Sequence, residues 1–455
     1  MKLSEIMPFK YLKFVQYKDL KSWDIRDFFV DKKIYTNFTL EKLSFFVEAI
    51  KSPISKEEVN KLCIKIISKI NFGGELFLRN FEEIETYKGN LFRVSQNQII
   101  FSKINARHGC IYFHDQNFQF AVSSEYPTLT FNHNVIDGDY LKLVLRSKHF
   151  QALLKSKSTG HSKARVTSTD ILNLKIPLPP LAIQAQIVST YQAAIAAAEA
   201  AEQQAAALEK EIEQYLNEAL GIEVHKTERK KGLQFVQSKD LTRWGVAFIL
   251  GEEKEPFFGS IYPLVSLPDF VEINPTTSFK HLSNNMEITF TPMECVSDKD
   301  GEIKEYRLGK ISDGKGYTKF AENDLIWAKI TPCMENGKSA IAKNLSNGFG
   351  YGSTEFHVFR TKSAEIKIEY LHCLFRTEYL KGIAKKNFAG SAGQQRVPTS
   401  FFTSLQIPLP PLAVQQAIVA KISAMKSEIK MLKTQAIAER DKAKRDFENV
   451  LFSRE

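Results

Sequence analysis

Catalytic signatures are what this chain of 455 residues lacks. Methyl transfer to an exocyclic amine uses an Asn/Asp-Pro-Pro-aromatic motif, but Pro179-Pro180 and Pro410-Pro411 each follow leucine. Gly337-Lys338-Ser339 ends like a phosphate-binding loop, yet position 332 is proline where the cradle needs glycine. None of the nine histidines stands in an H-E-x-x-H or other metal-ligating spacing. A nuclease-like pattern can be drawn from Pro268-Asp269 to Glu302-Ile303-Lys304, but Glu-x-Lys triplets recur at 365–367 and 428–430, so chance accounts for it. Gly348 to Gly352 reads as a turn rather than a cofactor loop. Cysteine is scarce: five residues, an odd set with no C-x-x-C pair, which argues against a disulfide framework or zinc knuckle and for a reducing compartment. No stretch approaches 18 apolar residues, and Met1 to Phe14 has no apolar leader segment. The expectation is a cytoplasmic protein with no membrane partner.

What the chain does have occurs twice. Ile176-Pro-Leu-Pro-Pro-Leu-Ala182 returns as Ile407-Pro-Leu-Pro-Pro-Leu-Ala413, and the copies extended to Val188 and Val419 agree at 10 of 13 positions. Three prolines in five residues fix φ and remove amide donors, so each motif is a rigid bend. A long run free of Gly and Pro follows each bend and reads as helix. Leu12-Lys-Phe-Val-Gln-Tyr-Lys-Asp-Leu-Lys-Ser-Trp23 likewise matches Leu233-Gln-Phe-Val-Gln-Ser-Lys-Asp-Leu-Thr-Arg-Trp244 at 8 of 12 positions. Weaker echoes pair Ile100–Ile104 with Ile326–Ile330, Ser123–Tyr126 with Ser353–Phe356, and Arg165-Val166 with Arg396-Val397. Two copies of one unit explain all of these, and the length suits two domains rather than a single core.

The expected fold class is α+β: two pseudo-repeated α/β domains, at 1–175 and 225–406, separated by two long antiparallel helices at 176–224 and 407–455 that form a coiled coil. Residues 31–70 read as helices from the spacing of Leu40, Leu43, Phe46, Val47 and Ile50, then Val59, Leu62, Cys63, Ile66, Ile67 and Ile70. Gly73 to Phe131 reads as short strands of a mostly antiparallel sheet, such as Leu91–Val94 and Ile111–Phe113. Tyr140 to Lys155 reads as helix, followed by a polar loop to Arg165. The second copy has more turns in its middle, so the copies share their ends and differ between them.

Steps of three and four from Ile187 reach Tyr191, Ala194, Ala198, Ala201, Ala205, Leu208, Ile212, Tyr215 and Ala219. From Ile418 they reach Ile422, Met425, Ile429, Leu432, Ala436, Glu439, Ala443, Asp446 and Val450. Such a recurrence predicts a coiled-coil seam. Antiparallel pairing sets Leu208 on Ile429, Ile212 on Met425, Tyr215 on Ile422, Ala201 on Ala436 and Ala194 on Ala443. Charge supports internal pairing. Residues 177–224 carry a net −6 and residues 408–455 a net +3. Helices of this size are roughly 55–60 Å long, a rigid spacer on the scale of successive major grooves, ~34 Å apart. Outside 177–224 the chain carries +16 of its overall +10, which suits a polyanionic partner.

Together, the duplicated I-P-L-P-P-L-A with its following Gln and long helix, the preceding Gly160–Val166 and Gly390–Val397 loops, and the two-fold repeat resemble the specificity subunit of type I restriction–modification systems. The family often has Glu before that Gln, whereas Ile183 and Val414 stand here before Gln184 and Gln415. The resemblance implies two target-recognition domains reading a bipartite site on double-stranded DNA. It implies as partners two methyltransferase (modification) subunits and restriction/translocase subunits. S-adenosylmethionine, ATP and Mg would sit on those partners, with no catalysis, cofactor or metal in this chain. A type IIB-like recognition subunit is a close variant. A coiled-coil adaptor that binds no DNA and a self-sufficient nuclease are readings from other classes.

DNA-contact candidates come from the loops before each proline motif. In the first copy they are Lys155, Lys157, His161, Ser162, Lys163 and Arg165; in the second, Lys385, Lys386, Gln394, Gln395 and Arg396. Lys103, Arg107 and Lys329 lie near strand ends. Lys and Arg neutralise phosphates or read guanine, and Gln reads adenine. The recurrence of Arg165 and Arg396 favours a shared structural or phosphate role over base readout.

Overall fold

The computed structural model describes residues 34–79, 89–157, 165–222, 257, 259–279, 282–390 and 394–452, with backbone alone at 155–157. Both Leu-to-Trp motifs, Leu12 to Trp23 and Leu233 to Trp244, lie outside the described residues. The chain divides into two compact units, Met1–Ala200 with Gln435–Glu455, and Ala201–Thr434.

In unit 1 the strands are β1 (Leu40–Lys42), β2 (Val47–Ile50), β3 (Pro53–Ile54), β4 (Lys65–Ile70), β5 (Leu76–Arg79) and β6 (Leu91–Val94). They continue as β7 (Gln98–Phe101), β8 (Ile111–His114), β9 (Phe120–Ser123), β10 (Thr128–Phe131) and β11 (Lys175–Pro177). Its helices are α1 (Lys56–Lys61), α2 (Gly138–Arg146), α3 (Lys148–Lys157), α4 (Ser168–Leu172) and the start of α5 (Leu181–Leu220). One sheet has the order β2-β10-β7-β8, a second β3-β6-β9-β4-β5, and β1 pairs with β11. The core joins the first sheet to α2 and α3 through Ile99, Phe101, Leu129, Tyr140, Leu141, Val144 and Phe150.

Unit 2 repeats this plan with β12 (Leu264–Ser266), β13 (Val271–Ile273), β14 (Glu287–Thr291), β15 (Arg307–Lys310) and β16 (Thr318–Ala321). Next come β17 (Leu325–Ala328), β18 (Ser339–Ile341), β19 (Phe349–Gly352), β20 (Phe356–Thr361) and β21 (Gln406–Pro408). Its helices are α6 (Leu267–Phe270), α7 (Ile368–Phe375), α8 (Glu378–Lys386), α9 (Thr399–Thr403) and the start of α10 (Leu412–Leu451). The sheets run β13-β20-β17-β18 and β15-β14-β19-β16, and β12 pairs with β21. The first sheet of each unit is antiparallel throughout. The second sheet of each carries one parallel pair, β4 with β9 and β14 with β19.

Of the helical reading of 31–70, 31–33 lie outside the described residues, and the rest is overturned except at a 3-10 turn, Leu43–Phe45, and at α1, which Ser55 and Glu58 start with a reciprocal capping box. Leu40 to Ile50 instead supplies β1 and β2, which pair with β11 and β10. Apolar runs this short satisfy either period, and pairing with distant strands decides between them. The run 64–70 is also rich in β-branched Ile, which favours the strand β4. Helix does form after Gly138, but it breaks at Ser147, whose extended backbone ends α2 while its Oγ accepts the amide of Phe150.

Each proline bend is held by the same two side chains. In unit 1 the Tyr140 hydroxyl donates to the Pro177 carbonyl at 2.8 Å. Gln184, fully buried, donates to the carbonyls of Pro179 (2.8 Å) and Val135 (3.1 Å) and accepts the amide of Asp137 (2.9 Å). In unit 2 Tyr370 donates to Pro408 at 2.8 Å, and Gln415 donates to Pro410 (2.9 Å) and Glu365 (2.7 Å) while accepting from Lys367 (2.9 Å). Proline-rich chain has carbonyls but few amides. A carboxamide, which both donates and accepts, satisfies the buried groups on both sides of the bend.

The long helices are antiparallel within each unit. In unit 1 the first half of α5 lies along the end of α10: Ile187, Val188, Phe447 and Leu451 share one core, and the Tyr191 and Phe447 rings meet edge-on at 6.0 Å. In unit 2 Leu216 and Leu220 join Ile418 and Ile422, with Ile212 and Tyr215 packed against them. Glu209 pairs with Lys433 at 2.6 Å, half exposed and therefore worth about 1 kcal/mol or less. Met425, Ile429, Ala436 and Ala443 are buried and Leu208 and Leu432 half-buried. The predicted seam slips by one residue at the end of each helix: Leu216 and Leu220 are buried where Tyr215 and Ala219 are half-buried, and Phe447 and Leu451 are buried where Asp446 and Val450 are exposed. A helix of 3.6 residues per turn drifts off a 3.5-residue repeat over several heptads.

Gln415→Ala should leave the Lys367 amide and two carbonyls without partners, lowering the stability of unit 2 by about 2–4 kcal/mol in urea unfolding. Tyr370→Phe, which loses one bond, should cost about 1–2 kcal/mol.

Candidate nucleic-acid interface

The loops before the proline bends are latched identically in both units. The amide of Lys103, just past β7, donates to the Glu125 carbonyl, and its carbonyl accepts the amide of Val166. Lys329, just past β17, makes the same two bonds with Glu355 and Val397. Beside each latch lies an ion pair. Arg165 meets Glu125 at 3.3 Å. Arg396 forks onto Glu355, Nε to Oε2 and Nη2 to Oε1, both at 2.8 Å, and its Nη1 donates to the Gln394 carbonyl. The Arg396 guanidinium holds the Glu355 carboxyl below the usual carboxylate range.

Lys103 and Lys329 are half-buried, and Lys386, at the end of α8, is exposed. Arg107 lies in the turn after β7, with its Nε buried and without a hydrogen-bond partner among the described residues. Lys385 pairs with Glu335, which also accepts the Thr331 hydroxyl at 2.6 Å. Gln394 is exposed, and the Gln395 carbonyl accepts the Thr331 amide. Unit 2 thus gathers Lys329, Lys385, Gln394, Gln395 and Arg396 around the turn 329–338. In unit 1 Lys103 and Arg165 share a latch, the backbone of Lys155 and Lys157 ends α3, and His161, Ser162 and Lys163 lie outside the described residues. Among the described residues no cluster of three His, Cys, Asp or Glu is placed to hold a metal, and no helix is long and apolar enough to cross a membrane.

Four pairs of framing residues take roles that the sequence pattern did not assign, although Gln184, Gln415, Glu125 and Glu355 stand within its repeats. Glu125 and Glu355 carry the latches, and Tyr140 and Tyr370 with Gln184 and Gln415 hold the bends. Arg146 and Arg376 end α2 and α7. Arg376 donates to the carbonyls of Gly337, Asp298 and Lys299 at 2.7–2.9 Å, and Arg146 reaches the Phe72 carbonyl. Each packs on a glycine of positive φ, Gly74 (77°) or Gly301 (73°), where a side chain would take the guanidinium's place. Matching the two halves at a separation of 230 or 231 finds every pair except the glycines, whose loop differs in length.

Two buried imidazoles sit in unit 2. His357 donates through Nε2 to the Val397 carbonyl at 2.8 Å, so its Nδ1 is the acceptor facing Asn274. His372 lies 3.1 Å from the Ser339 hydroxyl. Burial holds both pKa values below the ordinary histidine value. The unfolded chain therefore binds protons that the native state refuses, so stability is full above about pH 6.5 and falls as pH drops below it. Urea unfolding of unit 2 should lose stability between about pH 7 and 5, before the paired carboxylates titrate, and His372→Gln should flatten that loss.

The family model described as the type I restriction modification DNA specificity domain matches residues 47–210 and 262–439. The specificity subunit of the type I restriction enzyme EcoEI of Escherichia coli is 34% identical over 236 residues, 50% of this chain and 38% of that protein. The EcoAI specificity subunit, also of Escherichia coli, is 37% identical over 204 residues, 44% of this chain and 34% of that one. The chain thus matches well under half the length of either relative. A chain solved in work on complex assembly and conformational transition of the type I R-M system superposes with a TM-score of 0.58 at 14% identity, covering 92% of this chain and 98% of that one. That likeness supports the fold. With the family matched over more than half its length, once in each half, this chain belongs to the type I restriction modification DNA specificity family.

Proposed function

We propose that the chain is the DNA-recognition subunit of a restriction–modification complex, each unit reading one half of a bipartite site. The observation that carries this reading is the division of each unit into a constant and a variable part. The frame of first sheet, latch, proline bend and helix is the same in both. The second sheet keeps one four-strand order, β5-β4-β9-β6 against β15-β14-β19-β16, but its surface changes: among the described residues unit 1 adds β3 beside β6 and the helix α1, and equivalent strands differ in sequence, as Lys65–Ile70 does from Glu287–Thr291. A duplicated frame bearing two different surfaces suits recognition of two different half-sites. Continuous helices of 40 residues, each about 60 Å long, suit a spacer.

In this reading phosphate contacts come from Lys103, Arg107, Lys329, Lys386 and the latch arginines, and base contacts from the variable sheets and from Gln394 and Gln395. The methylation and cleavage chemistry, with S-adenosylmethionine, ATP and Mg, belongs to the partner subunits, and this chain is not itself catalytic. Two methyltransferase subunits and restriction/translocase subunits are the proposed partners.

Gel shifts of the full chain on duplex DNA should lose affinity steeply, by about 10³-fold or more between 50 and 200 mM salt, if six or more phosphates are neutralised. An adaptor that binds no DNA would give no shift at any salt. Methylation-sensitive sequencing of the source genome should reveal a split motif carrying methylated adenine on both strands.

A further inference from the structure

We propose that Arg165 and Arg396 each grip a DNA backbone phosphate, with Glu125 and Glu355 as positioning residues that fix the guanidinium for it. This rests on the DNA-recognition reading and names the chemistry of two of its contacts. A guanidinium has five N–H groups. Among the described residues Arg396 spends two on Glu355 and one on the Gln394 carbonyl, leaving one on each terminal nitrogen. Two donors on adjacent nitrogens match two oxygens of a phosphate in the bidentate geometry arginine favours. The side chain is 41% exposed while Glu355 is 22% exposed, so the cation stands further into solvent than its carboxylate.

The backbone beneath it is held as firmly. The amide and carbonyl of Arg396 exchange hydrogen bonds with Ala389, and the neighbouring Gln395 and Val397 bond to Thr331 and Lys329. Ordering a long side chain before binding removes an entropic cost that a free arginine meets on contact. Arg165 stands in the same place in unit 1 beside the Lys103–Val166 latch, 55% exposed, its Nε 3.3 Å from Glu125 Oε2 in an ion pair without the fork, and among the described residues that oxygen has no hydrogen-bond partner. A side chain reading a base would differ between units whose second sheets differ. One that grips the sequence-independent backbone would recur, as this one does.

Charge alone predicts the opposite outcome for the glutamates, since removing an anion near DNA should tighten binding. The test measures binding of the full chain to a duplex of about 30 random-sequence base pairs across a salt series, with folding checked by circular dichroism. Arg396→Gln should weaken binding several-fold and lower the slope of log K against log salt by about 1. Arg396→Lys should keep the slope but lose affinity, because it has the charge without the fork. Glu355→Gln should weaken binding with the slope unchanged. Tighter binding by Glu355→Gln, or an unaltered slope in Arg396→Gln, would overturn the assignment while leaving the DNA reading intact. A wild-type chain that binds no duplex at low salt overturns both.

Discussion

A proline-rich bend cannot satisfy its own backbone, and the architecture of each unit follows from how that deficit is met. The carbonyls of Pro180 and Pro411 accept amides of the first helical turn, but those of Pro177, Pro179, Pro408 and Pro410 are met by side chains. A buried carboxamide and a buried phenol from elsewhere in the unit supply the donors. Gln184 and Gln415 sit in the first turn of α5 and α10, so the same bonds that close the bend fix where each helix starts. They also accept the amides of Asp137 and Lys367, at the entry to α2 and α7. One side chain therefore ties bend, long helix and domain helix together, and unpairing it strands several buried polar groups at once.

From that joint the remaining shared features follow in series. The strand that precedes each bend pairs with an early strand, β11 with β1 and β21 with β12. The bonds of Val166 to Lys103 and of Val397 to Lys329 then hold the loop against the end of a central strand. The arginine after α2 or α7 holds a glycine turn leading into the second sheet. The far end of each long helix closes the unit with a carboxylate: Glu448 accepts the amide of Lys148, and Glu213 that of Tyr379, each at the start of a helix. The second sheets keep the same four-strand order on this frame, and they differ in their side chains and in the β3 and α1 that unit 1 adds.

The helix pair uses two kinds of packing for one task. Large side chains pack the pair in each unit, with Ile187, Val188 and Phe447 in unit 1 and Leu216, Ile418 and Ile422 in unit 2. Alanines fill other turns, with Ala198 and Ala436 of unit 1 and Ala205 of unit 2 fully buried. Alanine cores let backbones approach closely and add little burial per residue. The large side chains therefore carry most of the hydrophobic stabilisation of each helix pair.

By itself the sequence determined the duplication, the bends, the two helices and the basic character of the rest, because proline chemistry and helical period are local. Strand assignments from Gly73 to Phe131 were legible for the same reason, in short β-branched and aromatic runs broken by Gly and Asn. Tertiary structure decided what local pattern leaves open. Leu40 to Ile50 became strand because β11 and β10 offered partners, although its spacing fits a helix equally well. Phe447 and Leu451 replaced Asp446 and Val450 in the seam because a real helix turns every 3.6 residues. At the candidate site, Arg165 and Arg396 stood out by repetition alone. Their carboxylate partners lie 40 and 41 residues away in sequence and meet them only because the loop folds back onto the end of a central strand.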